Sequence, residues 1–140
     1  MNLIGSKKFE QFSNEIFRIN NHIRYFALID LEGHILVENS KDSKSFVETD
    51  EERLLLYHQI GKRRSKREDF DDVYGETFYV HIQRKKIQQL IVYLPLVTIY
   101  LLLSNKVQPN ELAILAKNVQ NLEAEKINQV LNSILMHEKP

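Results

Sequence analysis

The stretch LIVYLPLVTIYLLL, residues 90–103, decides the fold predicted for this chain. It is an apolar run of 14 residues, shorter than the roughly 18 to 20 that a transmembrane helix needs, and Pro95 interrupts it. The run is rich in β-branched and aromatic residues, which are typical of strands. The sequence therefore predicts two buried strands, 87–94 and 98–104, that fold back on each other at residues 95–97.

Three further strands are predicted on either side of the chain centre. The sequence IRYFALIDLEGHILVEN contains two segments of strand-forming residues, 23–29 and 34–38, separated by the turn residues Asp30 to Gly33. Residues 78–83 alternate between apolar and polar side chains, which favours a half-buried strand. The chain thus supplies five strands, and those joined by short turns form antiparallel hairpins.

Three helices are predicted between and beyond these strands. Apolar residues at helical spacing predict the first over residues 7–20. Thr49 and Glu52 form a capping box at the start of the second, which runs to about residue 69. Pro109 suits the first turn of a final helix at about 109–136. That helix carries one apolar stripe: Leu112, Leu115, Val119, Leu122, Ile127, Val130 and Ile134.

The order α-β-β-α-β-β-β-α predicts an α+β fold in one domain, residues 1–140, with a five-stranded antiparallel sheet. The middle helix is expected on one face and the two terminal helices on the other. Nineteen basic and nineteen acidic residues give a formal net charge of zero, so no global field favours nucleic acid or anionic lipid. The chain has no cysteine, which excludes disulfides and thiolate chemistry, and we expect a cytoplasmic protein.

This element order resembles the profilin-like plan of roadblock-type domains and of the related longin and PAS-like sensor domains. Three stretches are also similar to an uncharacterised family of small archaeal proteins from the thaumarchaeal lineage: IRYFALIDLEGHIL, RRSKREDFD and LPLVTIYLLLS. The matching positions are Arg24, Tyr25, Asp30, Gly33, Arg63, Arg67, Phe70, Asp71 and Pro95. The resemblance implies a fold and brings no catalytic residues.

The motifs of common catalytic and metal sites do not occur in the sequence. Gly61-Lys62 lacks the remaining residues of a phosphate-binding loop, because leucine stands at 56 and arginine at 63. The five histidines show no metal-ligand spacing, and no serine lies in a nucleophile elbow. The sequence therefore predicts a protein that is not an enzyme and that has no cofactor.

The stretch GKRRSKREDFDD, residues 61–72, places five basic residues before four acidic ones. Plotted as a helix, Lys62, Arg63 and Lys66 lie on the solvent side. Arg64 and Arg67 lie on or beside the apolar stripe, which holds Leu54, Leu56, Tyr57 and Ile60. Because a guanidinium in that position needs a partner, we expect Arg64 and Arg67 to pair within the chain, with Glu68 and Asp71, or to contact a binding partner.

Two functions from different classes remain open. The first is a non-catalytic interaction module, as roadblock-like domains are, that forms a homodimer and binds a regulatory partner. The alternative is a PAS-like small-molecule sensor, and nucleic-acid binding through the basic helix end is disfavoured because the acidic run follows directly. The final helix outruns its sheet, so we expect a second copy to cover its end. The predicted interface residues are Arg64, Arg67, Ile127, Val130, Leu131 and Ile134.

Overall fold

The computed structural model describes residues 3–41, 47–122, 127–129 and 132. Within these ranges the chain forms α1 (Leu3–Ile19), β1 (Ile23–Ile29), β2 (Ile35–Ser40), α2 (Asp50–Glu68), α3 (Asp71–Tyr74), β3 (Tyr79–Gln83), β4 (Ile87–Tyr93), β5 (Thr98–Ser104) and α4 (Pro109–Gln120). The short helix α3 lies between the predicted end of the second helix and the strand predicted at 78–83, where no element was predicted.

The five strands form one antiparallel sheet in the order β2-β1-β5-β4-β3, which confirms the predicted fold class. β5 is the central strand and pairs with both β1 and β4. The predicted hairpin at residues 95–97 is present, and its turn is closed by the Leu94 amide, which donates to the Val97 carbonyl at 3.0 Å. Residues 90–103 therefore form the middle of the sheet. No helix in the described part of the chain combines the length and hydropathy needed to cross a bilayer.

Each face of the sheet carries its own hydrophobic core. Alternate β1 residues divide between the two: Phe26 and Leu28 pack with α1 and α4, whereas Tyr25 and Ala27 pack with α2. This division follows from the two-residue period of a strand, and it needs a helix layer on each side. The placement of the middle helix on one face and the terminal helices on the other is confirmed.

Helix α2 begins with the predicted capping box. The Glu52 amide donates to the Thr49 hydroxyl at 3.1 Å, and the Thr49 amide donates to the Glu52 carboxylate at 2.9 Å. The carboxylate accepts this backbone hydrogen bond at a helix N-terminus, so the pKa of Glu52 is lowered. The helix ends at Glu68, close to the predicted boundary.

Helix α4 is shorter than predicted. Its start at Pro109 agrees with the sequence, but it ends at Gln120, and residues 127–129 are helical again. The last turn tightens, because the Leu122 amide donates to the carbonyl of Val119, three residues earlier, at 3.2 Å. Such a bond replaces the four-residue spacing that continues an α-helix. The uninterrupted helix predicted over 109–136 is therefore wrong within the described residues.

The turn between β1 and β2 is built around Asp30 and Gly33. The Asp30 carboxylate accepts hydrogen bonds from the amides of Glu32 and His34 at 2.9 and 2.8 Å. Gly33 has a φ of +93°, and it lies against α2 so closely that an added Cβ would be 2.6 Å from the carbonyl oxygen of Tyr57. At Gly61 of α2, an added Cβ would be 2.6 Å from the Gly33 nitrogen. Two glycines thus allow the hairpin backbone to touch the helix backbone.

We expect Asp30→Ala to lower the free energy of unfolding by about 1 kcal/mol at neutral pH, because two amides lose their acceptor. Burial opposes ionisation of this carboxyl, but the hydrogen bonds from His34 and Glu32 outweigh it, so the pKa of Asp30 is lowered. A lowered folded-state pKa stabilises the protein above the unfolded-state pKa, and this stabilisation disappears as the pH falls through the folded-state value.

Urea unfolding of the wild type and of Asp30→Ala between pH 7 and pH 2 measures how much the Asp30 carboxylate stabilises the protein. The difference between wild type and Asp30→Ala should shrink on acidification. Asp30→Asn is the matched control, because it keeps one oxygen acceptor and cannot ionise. A difference that stays constant across the whole pH range would contradict the assignment.

Candidate functional site

Arg64 links helix α2 to the turn between β4 and β5. Its side chain is buried, with 6% of the residue exposed. One terminal nitrogen, Nη1, donates to the Val97 carbonyl and to the Thr98 hydroxyl, both at 2.9 Å, and the other, Nη2, donates to the Leu94 carbonyl. A buried guanidinium needs such acceptors, and backbone carbonyls supply most of them here. The β4–β5 turn is therefore held to α2 through one side chain.

The predicted contact between Arg64 and Glu68 is present, with Nε and the carboxylate oxygen Oε2 3.5 Å apart. The Arg64 guanidinium also lies 4.8 Å from the centre of the Tyr93 ring, within reach of a cation–π contact. Sequence spacing indicated the i,i+4 ion pair. It gave no signal for the carbonyl acceptors, because these come from a turn about thirty residues further along the chain.

Arg67 has a different partner from the predicted one. Its Nη1 donates to the Tyr93 hydroxyl at 3.0 Å. Among the described residues, this hydroxyl takes the place predicted for the Asp71 carboxylate. The two arginines and Asp71 instead line a common cleft of about 320 Å³, together with Glu68, Glu76, Thr77, Tyr93, Leu94 and Pro95. The basic cluster and the acidic run of the sequence thus meet at one depression.

The side of α2 that points away from the sheet is both apolar and charged. Leu54 and Leu55 are 59% and 57% exposed, although the sequence placed Leu54 in the buried stripe. The buried side is formed by Tyr57, Ile60, Gly61 and Arg64, and Leu54 lies at its margin. The exposed residues from this margin to the opposite side form what we call the α2 outer face: Glu51, Leu54, Leu55, His58, Lys62 and Lys66. Arg63, also predicted to be solvated, is exposed as well.

A second groove of about 280 Å³ lies on the other side of the β4–β5 turn. It is lined mainly by apolar residues: Leu36, Leu94, Pro95, Leu96, Val97, Gln120, Leu122, Ile127 and Asn128. Ile127, predicted to contact a second copy, is only 5% exposed and packs in the core shared with α1 and α4. The other predicted interface residues of the final helix, Val130, Leu131 and Ile134, lie outside the described residues.

Side chains that could hold a metal ion do not cluster in the described ranges. Within residues 3–41, 47–122, 127–129 and 132, no group of three or more His, Cys, Asp or Glu residues has a suitable arrangement.

Comparison with solved structures places this architecture among known folds. A structure of MglB with a tetrameric arrangement superposes with a TM-score of 0.70 at 13% identity, covering 93% of this chain and 94% of that one. The roadblock/LC7 domain from Streptomyces avermitilis gives 0.56 at 8% identity, covering 91% and 94%. Profilin IA from Acanthamoeba castellanii gives 0.54 at 12% identity, covering 86% and 98%. The chain has a roadblock-like fold. Neither a protein-family model nor a curated protein sequence matches it.

The roadblock-like fold here encloses a polar cluster that the sequence did not reveal. Tyr25, on the α2 side of the sheet, donates its hydroxyl to the Glu48 carboxylate at 2.6 Å, and the Gln89 amide donates to the Tyr100 hydroxyl at 2.8 Å. Burial raises the pKa of Tyr100 to about 12 and also raises the pKa of Tyr25, so both phenols stay neutral at physiological pH. In the sequence, tyrosines within apolar strands indicate only core residues. Their hydrogen-bond partners lie far away in sequence, so no local pattern indicates the cluster.

Proposed function

We propose that this protein is a non-catalytic interaction module that forms a homodimer and presents its surface to a regulatory partner. The exposed leucines of the α2 outer face are the observation that supports this most strongly. Leu54 and Leu55 are more than half exposed, and Leu55 borders a groove of about 390 Å³ that also contains Ile87 and Leu102. Exposed apolar side chains beside a groove are typical of a surface that another protein covers.

The charges of α2 favour a second copy as the molecule that covers this face. The first turn carries Asp50, Glu51 and Glu52, and the last turn carries Lys66 and Arg67. If two α2 helices pack antiparallel around a twofold axis at His58, each acidic first turn meets the basic last turn of its partner. The aliphatic stem of Lys62 then lies over the partner's Leu54. A self-complementary surface of this kind closes as a dimer.

The other predicted interface residues stay part of this proposal. Val130, Leu131 and Ile134 follow the buried Ile127 at helical spacing and remain candidates for a second contact between copies. Arg64 and Arg67, at the cleft, remain candidates for contact with a regulatory partner. The tetrameric arrangement described for MglB is a property of that protein, and it is consistent with assembly through surfaces of this fold. We also propose that the chain belongs to the archaeal family that its sequence resembles, and that it is located in the cytoplasm.

We expect the double variant Leu54→Glu/Leu55→Glu to convert the dimer into a monomer. Four buried carboxylates and the loss of four leucine contacts would weaken association by at least about a hundredfold. Light scattering coupled to size exclusion at micromolar concentration measures the mass. The matched control is Ile114→Glu, which changes a residue 61% exposed on α4 and should leave the dimer intact.

The same measurement distinguishes the two candidate interfaces. If Leu54→Glu/Leu55→Glu stays dimeric and Val130→Glu/Ile134→Glu becomes monomeric, the final helix is the interface. A wild-type protein that is monomeric at this concentration would refute the proposed function.

A small-molecule sensor is the second candidate function, and the groove between α2 and the sheet favours it. Arg84 and Gln89 contribute polar groups there, and the Arg84 Nε donates to the Gln89 side-chain oxygen at 2.8 Å. The groove volume of about 390 Å³ falls in the range of small-molecule sites. A metabolite that raises the melting temperature of the wild type, and fails to do so with Arg84→Ala, would support this second function over the first.

A further inference from the structure

We propose that the surface around helix α3 docks a segment of a partner protein that is rich in both basic and apolar residues. We call it the α3 surface and define it by four apolar residues, Phe70, Val73, Tyr74 and Phe78, and four acidic ones, Glu68, Asp71, Asp72 and Glu76. It is separate from the α2 outer face, so it does not depend on the proposed dimer interface.

The apolar residues of this surface are unusually exposed. The exposed fractions are 57% for Phe70, 72% for Val73, 81% for Tyr74 and 67% for Phe78. The rings of Phe70 and Tyr74 stack, with centres 6.0 Å apart and planes 25° from parallel. None of the four residues of α3 is buried. Contacts with the hydrophobic core therefore do not explain why large apolar side chains occur here, whereas a partner that covers them does.

A cleft lies beside these aromatic side chains and forms part of the α3 surface. Glu68, Asp71 and Glu76 line it together with Arg64 and Arg67. The Nε of Arg64 is buried, and among the described residues it has no hydrogen-bond partner, its closest carboxylate oxygen being that of Glu68 at 3.5 Å. The cleft thus places carboxylates beside the exposed aromatic side chains.

The negative charge of the α3 surface favours a basic segment of a partner protein. Residues 68–76 contain five acidic side chains and no lysine or arginine. The two arginines of the cleft are already engaged, Arg64 by the carbonyls of the β4–β5 turn and Arg67 by the Tyr93 hydroxyl. An anionic partner such as a nucleic acid would be repelled by the remaining carboxylates, whereas lysine or arginine side chains would be attracted. Apolar side chains between them would cover the stacked rings.

A pair of synthetic peptides tests the proposal on the full-length protein. The first is a fluorescein-labelled peptide of twelve residues in which lysine alternates with leucine and one central phenylalanine. The second has glutamate at every lysine position. Fluorescence anisotropy at low salt should show saturable binding of the lysine peptide to the wild type, and no binding of the glutamate peptide.

Two variants locate the binding site. Val73→Ser/Tyr74→Ser removes apolar contacts, and Asp72→Lys/Glu76→Lys reverses the charge of exposed residues. We expect each to weaken binding of the lysine peptide by about tenfold or more. Glu111→Lys/Ile114→Ser is the control on α4, because it combines one charge reversal and one loss of an exposed apolar side chain away from the α3 surface, and it should change binding by less than about twofold.

The proposal is overturned by any of three results: no saturable binding to the wild type at about 100 µM protein, equal binding of the two peptides, or equal losses in the α3 and α4 variants. Light scattering on the same α3 variants should show an unchanged mass. This readout separates a failure at the α3 surface from a failure of the proposed dimer.

Discussion

Gly33→Ala is expected to destabilise the protein by about 4 kcal/mol and to lower its melting temperature by roughly 10 °C. Two costs combine at this position. The backbone has a φ of +93°, where a non-glycine residue is strained by about 1 to 3 kcal/mol. The new Cβ would also lie 2.6 Å from the Tyr57 carbonyl oxygen and 2.8 Å from the His58 Cα, and such overpacking costs about 1 to 3 kcal/mol.

Gly75→Ala is the control for this experiment. Gly75 also has a positive φ, +84°, but an added Cβ there has nothing within 4 Å. The backbone strain is thus retained without the collision, and we expect a loss of only about 1 to 2 kcal/mol. Denaturant unfolding of the two variants measures the difference. If the two variants lose equal amounts of stability, the close contact between the hairpin and α2 contributes nothing to the destabilisation of Gly33→Ala.

Arg64→Met should lower the free energy of unfolding by about 3 kcal/mol, because it keeps most of the side-chain volume but removes every donor. The carbonyls of Leu94 and Val97 and the Thr98 hydroxyl then lose the hydrogen bonds that Arg64 supplies. Each buried acceptor left without a donor costs about 1 to 3 kcal/mol, and relaxation of the turn recovers part of the total.

Two neighbouring substitutions on the same helix serve as references. Lys62→Met changes an exposed residue and should shift stability by less than about 0.5 kcal/mol. Arg67→Met removes the hydrogen bond to the Tyr93 hydroxyl and should cost about 1 kcal/mol. Urea unfolding ranks the three variants. A ranking in which Arg64→Met is no worse than Lys62→Met would show that the guanidinium does not hold the β4–β5 turn.

Features encoded by local patterns were predictable from the sequence. Alternating and continuous apolar runs located the five strands, and Thr49 with Glu52 located the start of α2, because each signal lies within a few neighbouring residues. The order of these elements along the chain then left few ways of covering both faces of one sheet.

Features that depend on residues far apart in sequence were not predictable. The acceptors of Arg64 come from the β4–β5 turn, and the partner of Arg67 is Tyr93, so spacing along α2 gave only the contact with Glu68. The end of α4 was missed because the apolar spacing continues past Gln120, although the backbone leaves the helix there. Leu54 was assigned to the core for a similar reason, since periodicity does not fix the margin of a buried face.

The central position of β5 has a consequence for biosynthesis. The strand that joins the β1–β2 hairpin to the β3–β4 hairpin is the last of the five to be translated. Between the end of β2 at Ser40 and the end of β5 at Ser104, the ribosome adds 64 residues, which takes about 3 to 13 s at roughly 5 to 20 residues per second. Throughout that interval β1 lacks one of its two neighbours, and its apolar side chains have no completed sheet to join. In a nascent chain of this topology, the edge of β1 that pairs with β5 therefore stays without its partner strand until Ser104 has been added.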